Sequence, residues 1–260
     1  MGYISQNRTK QALRDGKTVM GTIVTTATPS IVEILGSAGL DFIMIDTEHA
    51  PLVAESVEDM VRAADVSGVI PLVRVRDNNA SLILRYLDIG AMGVHVPGVS
   101  TAEATQKAVQ AVKYWPLGER GLSPSPRAAG YGQVPLLEYM DWSNQNTMLV
   151  IHIEDKEGLE NIDEILDVSE IDVAFIGVMD LSQHCGVPGQ TDHPIIQEAI
   201  DKILRAATKR NIAVGSAVGN INQALELKRR GFRYIILSTA LRLLWSVAND
   251  AHKQITGASD

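Results

Sequence analysis

Cysteine is almost missing from this chain: Cys185 stands alone among 260 residues. A single thiol excludes an intrachain disulfide and any zinc site built on cysteines. Long apolar runs are missing too, none reaching the roughly 18 residues of a membrane span. The opening segment, MGYISQNRTKQALRDG, has no apolar centre of the kind a signal peptide carries. Gly2 precedes Ser5 and Gln6 in the wrong register for myristoylation. Lys and Arg form no cluster, and the formal charge of -8 argues against a phosphate-backbone partner. Pro/Gly/Ser-rich linkers and low-complexity tracts are absent as well. These absences leave a cytoplasmic globular protein with no nucleic-acid or membrane partner, folded as a single domain over residues 1–260.

What is present is one alternation repeated along the chain, with 45% hydrophobic residues to supply a core. Strand candidates lie at 19–24, 41–45, 70–75, 93–96, 148–153, 172–176, 212–218 and 233–238. Helical spacing marks 29–38, 56–66, 80–88, 101–113, 158–168, 220–230 and 239–253, with more helical sequence after the sixth strand. Eight units of about 32 residues predict a (β/α)8 (TIM) barrel, preceded by a short extra helix at 4–13. An open doubly wound sheet is the alternative, although its strands rarely run to eight at such even spacing.

Barrel enzymes place their chemistry at the C-terminal strand ends, so those ends name the candidates. Residues 148–182 read as strand, helix, strand, a βαβ unit whose neighbouring parallel strands carry Glu154 and, just past the second, Asp180. Two carboxylates there suit a hard divalent cation; equally, both could cap the helices that follow. The second strand ends in IDTEHAP, supplying Asp46, Glu48 and His49, and the third ends near Arg74. His49 is either a turn residue or a proton carrier. Arg74 either holds a carboxylate or a developing enolate, or pairs with a neighbouring acid. No strand segment contains a lysine, which excludes a Schiff-base aldolase and leaves carbanion chemistry to a metal.

Two further stretches stand out. Residues 115–133, WPLGERGLSPSPRAAGYGQ, show little helical character and carry Arg120 and Arg127. A loop of this length is either a cover over the active site with anion-binding arginines or an ordered surface excursion. In residues 239–253, Leu241, Leu244, Trp245 and Ala248 form one stripe, with Leu243 and Val247 beside it. That face is broad for one barrel helix and points to a subunit interface; an ordinary eighth helix is the alternative.

Taken in order, IDTEHAP, LVRV, YLDIG, RGLSPSPRAAGYG, IHIE and FIGVMDLS resemble the HpcH/HpaI family of metal-dependent 2-oxoacid aldolases, over roughly residues 21–238. The resemblance implies a (β/α)8 barrel that cleaves or forms a 4-hydroxy-2-oxoacid, giving pyruvate and an aldehyde through a metal-stabilised enolate. It implies Mg2+, Mn2+ or Co2+ on Glu154 and Asp180, Arg74 on the pyruvyl part, and His49 moving the proton of the C4 hydroxyl. Asp88 or Asp46 would orient that histidine, and Arg120, Gly121 and Arg127 match the family's loop. It also implies a homo-oligomer, a hexamer arranged as a trimer of dimers, that exchanges its last helix.

Departures from the family pattern bear on the substrate more than on the reaction class. Ile23 stands where a tryptophan is common, Thr47 where glycine is usual, and His152 where glutamine precedes the metal glutamate. Residues 152 and 154 share a strand face, so His152 is either a ligand or second base, or a packed core histidine. Val178 and Met179 replace Pro-Ala in a turn whose backbone donors meet the substrate carboxylate in the family. Two alternatives to the aldolase reading remain: an aldolase-like citrate synthase of siderophore pathways joining oxaloacetate with acetyl-CoA, and a non-catalytic barrel that binds a 2-oxoacid.

Overall fold

The structure, a computed structural model, describes residues 5–257. Strands β1 (Val19–Val24), β2 (Phe42–Asp46), β3 (Ile70–Arg74) and β4 (Gly93–Val96) are followed by β5 (Met148–Ile153), β6 (Val173–Ile176), β7 (Ala213–Val218) and β8 (Tyr234–Thr239). They pair in sequence order, all parallel, and β8 closes on β1. The chain is a TIM barrel. Helix α1 (Arg8–Arg14) precedes it, and α2 (Pro29–Ser37), α3 (Ala54–Ser67), α4 (Ala80–Asp88) and α5 (Ala102–Val112) follow the first four strands. Helix α6 (Leu136–Asn146) leads into β5, which α7 (Lys156–Glu160) and α8 (Ile162–Asp167) follow. Helices α9 (Val178–His184) and α10 (Pro194–Lys209) come after β6, α11 (Ile221–Arg229) after β7 and α12 (Ala240–Thr256) after β8.

The period-2 alternation of each strand divides the core in two. Phe42, Met44, Leu72, Val150, Phe175 and Ile236 fill the barrel interior. Their neighbours Ile43, Ile45, Val73, Ile151 and Ile235 face outward, where Met60, Ile83 and Ile203 cover them from the helices. Each such side chain, taken fully out of water, contributes about 1.5–3 kcal/mol, so a one-residue slip of any strand would be heavily opposed.

Several sequence expectations shift. The first helix begins at Arg8, and Ile4 lies outside the described residues. The helix expected at 158–168 breaks at Asn161 into α7 and α8. Helix α6 is additional; it buries only Tyr139 and Ser143, too little pattern to read from sequence. The largest correction concerns residues 115–133. Because α5 carries the chain back to the N-terminal end of the barrel, the stretch after it lies there and cannot cover the C-terminal face of the same barrel. Lys113 anchors this region, its Nζ donating to the carbonyls of Asn144 at 2.7 Å and Thr147 at 3.1 Å, directly ahead of β5.

The last two helices are thinly packed. Helix α11 buries no residue and α12 buries only Ala240, leaving Leu244, Trp245 and Val247 more than half exposed. Among the described residues, no helix is long and apolar enough to cross a membrane.

Candidate active site

At the C-terminal mouth the register sets Asp46 of β2 directly beside Arg74 of β3. Arg74 grips that carboxylate with two bonds, Nε to Oδ1 at 3.0 Å and Nη2 to Oδ2 at 2.7 Å. Its third nitrogen, Nη1, lies 3.2 Å from Glu48 Oε2. Burial pushes the Asp46 carboxyl up, but Arg74 and the backbone N–H groups of His49 and Glu48 outweigh it and hold the group below its usual range. Glu48 goes the other way: burial raises it, and Arg74 and His49 recover only part. His49 stands at the rim, 66% exposed, its Nε2 3.7 Å from Glu48.

Opposite this pair, β5 ends at Glu154. Gly98 donates its backbone N–H to Oε1 at 2.7 Å, and His152 Nδ1 lies 3.4 Å from Oε2. Burial raises the Glu154 carboxyl, and these two contacts with Arg74 more than reverse it, leaving it low and ionised. The carboxylate occupies space that any side chain at residue 177 would take, since a Cβ on Gly177 would come within 2.5 Å of Oε2. Asp180 sits in the first turn of α9, exposed to the same cavity. His184 ties the two segments together: its Nδ1 lies 3.0 Å from the carbonyl oxygens of both Glu154 and Asp180, so it donates to both.

A cavity of about 800 Å3 is lined by Arg74, His152, Glu154 and Asp180 with Met44 and Phe175, while Asp46, Glu48 and His49 are not part of its lining. Val178 and Met179 line it beside Asp180. The donor chemistry fits a hard divalent ion: two carboxylates, one of them seated in a cradle that Gly177 keeps open. Among the described residues, no group of three or more His, Cys, Asp or Glu side chains is arranged to hold a metal, so an ion held by these two carboxylates would take its remaining ligands from water and substrate.

His152 is buried, 1% exposed, and both of its ring nitrogens face polar partners. Its Nε2 lies 3.0 Å from His95 Nδ1, and His95 Nε2 lies 2.8 Å from the Tyr234 hydroxyl. The sequence reading passed over His95 and Tyr234, which look like ordinary inward positions of β4 and β8. It also passed over His184, whose role exists only where β5 meets α9.

Three named residues lie elsewhere. Asp88, expected to orient His49, ends α4 at the opposite mouth and pairs with Arg120 at 2.7 Å. Arg120 is buried there against Tyr139 and Ser143. Arg127 binds the Ile89 carbonyl and the Asp65 carboxylate. Asp46, the other residue expected to orient His49, accepts only its backbone N–H, at 3.3 Å, and spends both oxygens on Arg74. Helices that return to the N-terminal face deliver the first three there, where none reaches the cavity of its own barrel.

Known proteins resemble this chain in sequence and fold. The model of the HpcH/HpaI aldolase/citrate lyase family matches residues 20–245. A hydroxypyruvate/pyruvate aldolase of Roseobacter denitrificans is 36% identical over 242 residues, covering 92% of this chain and 93% of its own. The crystal structure of an HpcH/HpaI aldolase/citrate lyase family protein from Burkholderia cenocepacia superposes with a TM-score of 0.91 at 28% identity, covering 96% of this chain and 99% of its own. The citrate synthase SbnG superposes with a TM-score of 0.86 at 28% identity, covering 97% and 100%.

Proposed function

The chain belongs to the HpcH/HpaI aldolase/citrate lyase family, and on that premise we propose that it cleaves or forms a 4-hydroxy-2-oxoacid, with pyruvate and an aldehyde as the other side of the reaction. It is a carbon–carbon lyase of the aldolase type. The observation that carries the substrate reading is the convergence of Glu154, Asp180 and Arg74 on one cavity at the C-terminal mouth. Glu154 and Asp180 would hold Mg2+, Mn2+ or Co2+, and the bound ion would supply Lewis acidity to the carbonyl of the 2-oxoacid.

The chain's own groups do the rest. Arg74, fixed by Asp46, presents a permanent positive charge to the substrate carboxylate and to the oxygen on which negative charge develops. His49 moves the proton of the C4 hydroxyl, with Glu48 beside it. Val178 and Met179 offer backbone N–H groups next to Asp180, and His152 borders the same space. Asp88, Arg120 and Arg127 act, on this reading, toward the cavity of a neighbouring subunit, in a hexamer built through α12. A cytoplasmic location accords with the lone cysteine, and the whole chain works as one catalytic domain.

A screen of 4-hydroxy-2-oxoacids for pyruvate release, with and without chelator, tests this. Release that the chelator abolishes is the expected result; full release in excess EDTA would overturn the metal assignment. The likeness to SbnG favours a second reaction for comparison, and free thiol released from oxaloacetate with acetyl-CoA, without pyruvate from any 4-hydroxy acid, would replace the aldol reading.

A further inference from the structure

A file of polar groups crosses the barrel interior where an apolar layer would otherwise lie. Tyr234 on β8, His95 on β4 and His152 on β5 are all essentially buried, and the file ends on Glu154. Such a row is costly unless every contact is satisfied, because unpaired polar groups are penalised heavily out of water. Here there are three contacts: hydroxyl to His95 Nε2, His95 Nδ1 to His152 Nε2, and His152 Nδ1 to Glu154 Oε2. With both rings neutral, each brings one proton and the phenol brings a third. With Glu154 ionised, three protons fill the three contacts in only one way.

In one arrangement Tyr234 donates to His95, His95 Nδ1–H donates to His152, and His152 Nδ1–H donates to Glu154. Reversing every bond takes a fourth proton, on Glu154, while the phenol keeps its own and accepts instead of donating. A carboxylate that holds a divalent cation carries no proton, and Gly98 already donates to its other oxygen, which selects the first arrangement. Burial pushes His95 well below its ordinary range, so it is the neutral ring this count requires. The phenol is held far above its usual range by burial and gives up no proton. The row is therefore an anchor with a direction, not a route for proton release.

Packing locks the rings. Tyr234 stacks on Phe42 with centroids 4.2 Å apart, and His152 stacks on Phe175 at 4.6 Å. Gly215 leaves the room the phenol ring fills, since a Cβ there would come within 2.8 Å of it.

We propose that Tyr234 and His95 are positioning residues: through His152 they hold the Glu154 carboxylate in one orientation for its divalent cation. The proposal rests on the reading of Glu154 as a metal ligand. Partners of this kind behind a ligand commonly change metal affinity 10- to 100-fold.

The chain is tested first without metal. Magic-angle-spinning 15N spectra of histidine-labelled protein, assigned with His95→Gln and His152→Gln, should show both rings protonated at Nδ1 and bare at Nε2. Free imidazole side chains favour the opposite tautomer, so a merely packed pair would not give this signature. Mn2+ binding followed by electron paramagnetic resonance should weaken about tenfold in Tyr234→Phe. That loss should vanish when Tyr234→Phe is made in the His152→Gln background, because the chain then has no middle. Nε2–H at His152 in the metal-free protein, or wild-type Mn2+ affinity in Tyr234→Phe, would overturn the proposal. Glu154→Gln binding Mn2+ like the wild type would instead sink the ligand assignment, leaving the tautomer result standing by itself.

Discussion

Gly177 and Glu154 divide one small space between them, and that makes a sharp test at the scale of single residues. Gly177 has a negative φ, -77, so alanine there is not barred by its backbone, but its Cβ would meet the Glu154 side chain, the carboxylate at 2.5 Å and the Cβ at 2.9 Å. Gly177→Ala should leave the circular dichroism unchanged while weakening Mn2+ binding at least about tenfold. Glu154→Gln and Asp180→Asn should abolish turnover in a folded protein, because each removes a ligand charge at the mouth and no core packing. Full activity of either variant would remove the two-carboxylate site. His49→Ala should lose at least about a hundredfold in kcat, the lower end for a lost proton carrier, while pyruvate still competes through Arg74. Normal turnover would hand the step to Glu48, 3.7 Å away. Arg74, Glu154 and Asp180 were legible in sequence because acids and arginines at strand ends break an apolar alternation. His95 and Tyr234 were not, since their partners come from strands far apart in sequence and only barrel closure joins them.

Elements explain the misplaced residues. In each unit the strand points to one mouth and the helix returns to the other, so residues after α5 belong to the N-terminal face whatever their composition. The sequence shows Arg120 and Arg127 in a long loop; it does not show which mouth receives them. Lys113 ties the end of α5 to α6 and the start of β5, fully buried, with Glu170 Oε2 3.4 Å away. Burial and the nearby Lys10 lower its ammonium from 10.5 to about 8. Between those two values the unfolded chain holds a proton that the folded chain has released, so this group's contribution to stability rises with pH across that window. Compared with Lys113→Met, the wild type should gain on the order of 3 kcal/mol from the lower to the upper end of it, read by urea melts at both ends. A constant difference between the two proteins would show that Lys113 keeps its ordinary affinity for protons.

At the scale of the whole molecule, α12 has no adequate place on its own barrel. A helix of 17 residues that buries only Ala240 leaves Leu241, Leu244, Trp245 and Val247 facing water. Helix α11, with no buried residue, also exposes Ile221 and Leu225. Two helices with uncovered apolar faces need a cover, and in the proposed assembly a second copy of the chain carrying the same faces would supply one. Trp245, whose ring lies 4.3 Å from the Arg242 guanidinium, is suited to anchor such a contact. The same assembly would bring Asp88, Arg120 and Arg127 from the N-terminal mouth of one barrel toward a neighbour's cavity, the one route by which they could meet substrate. Light scattering of the full chain should therefore give a multiple of 28.2 kDa. Truncation before Thr239 should yield monomers or aggregates with reduced activity, whereas Trp245→Ala should shift the equilibrium toward smaller species without unfolding the barrel. A full-length monomer, fully active at nanomolar concentration, would mean that α12 is an ordinary last helix and that one barrel carries everything the reaction needs.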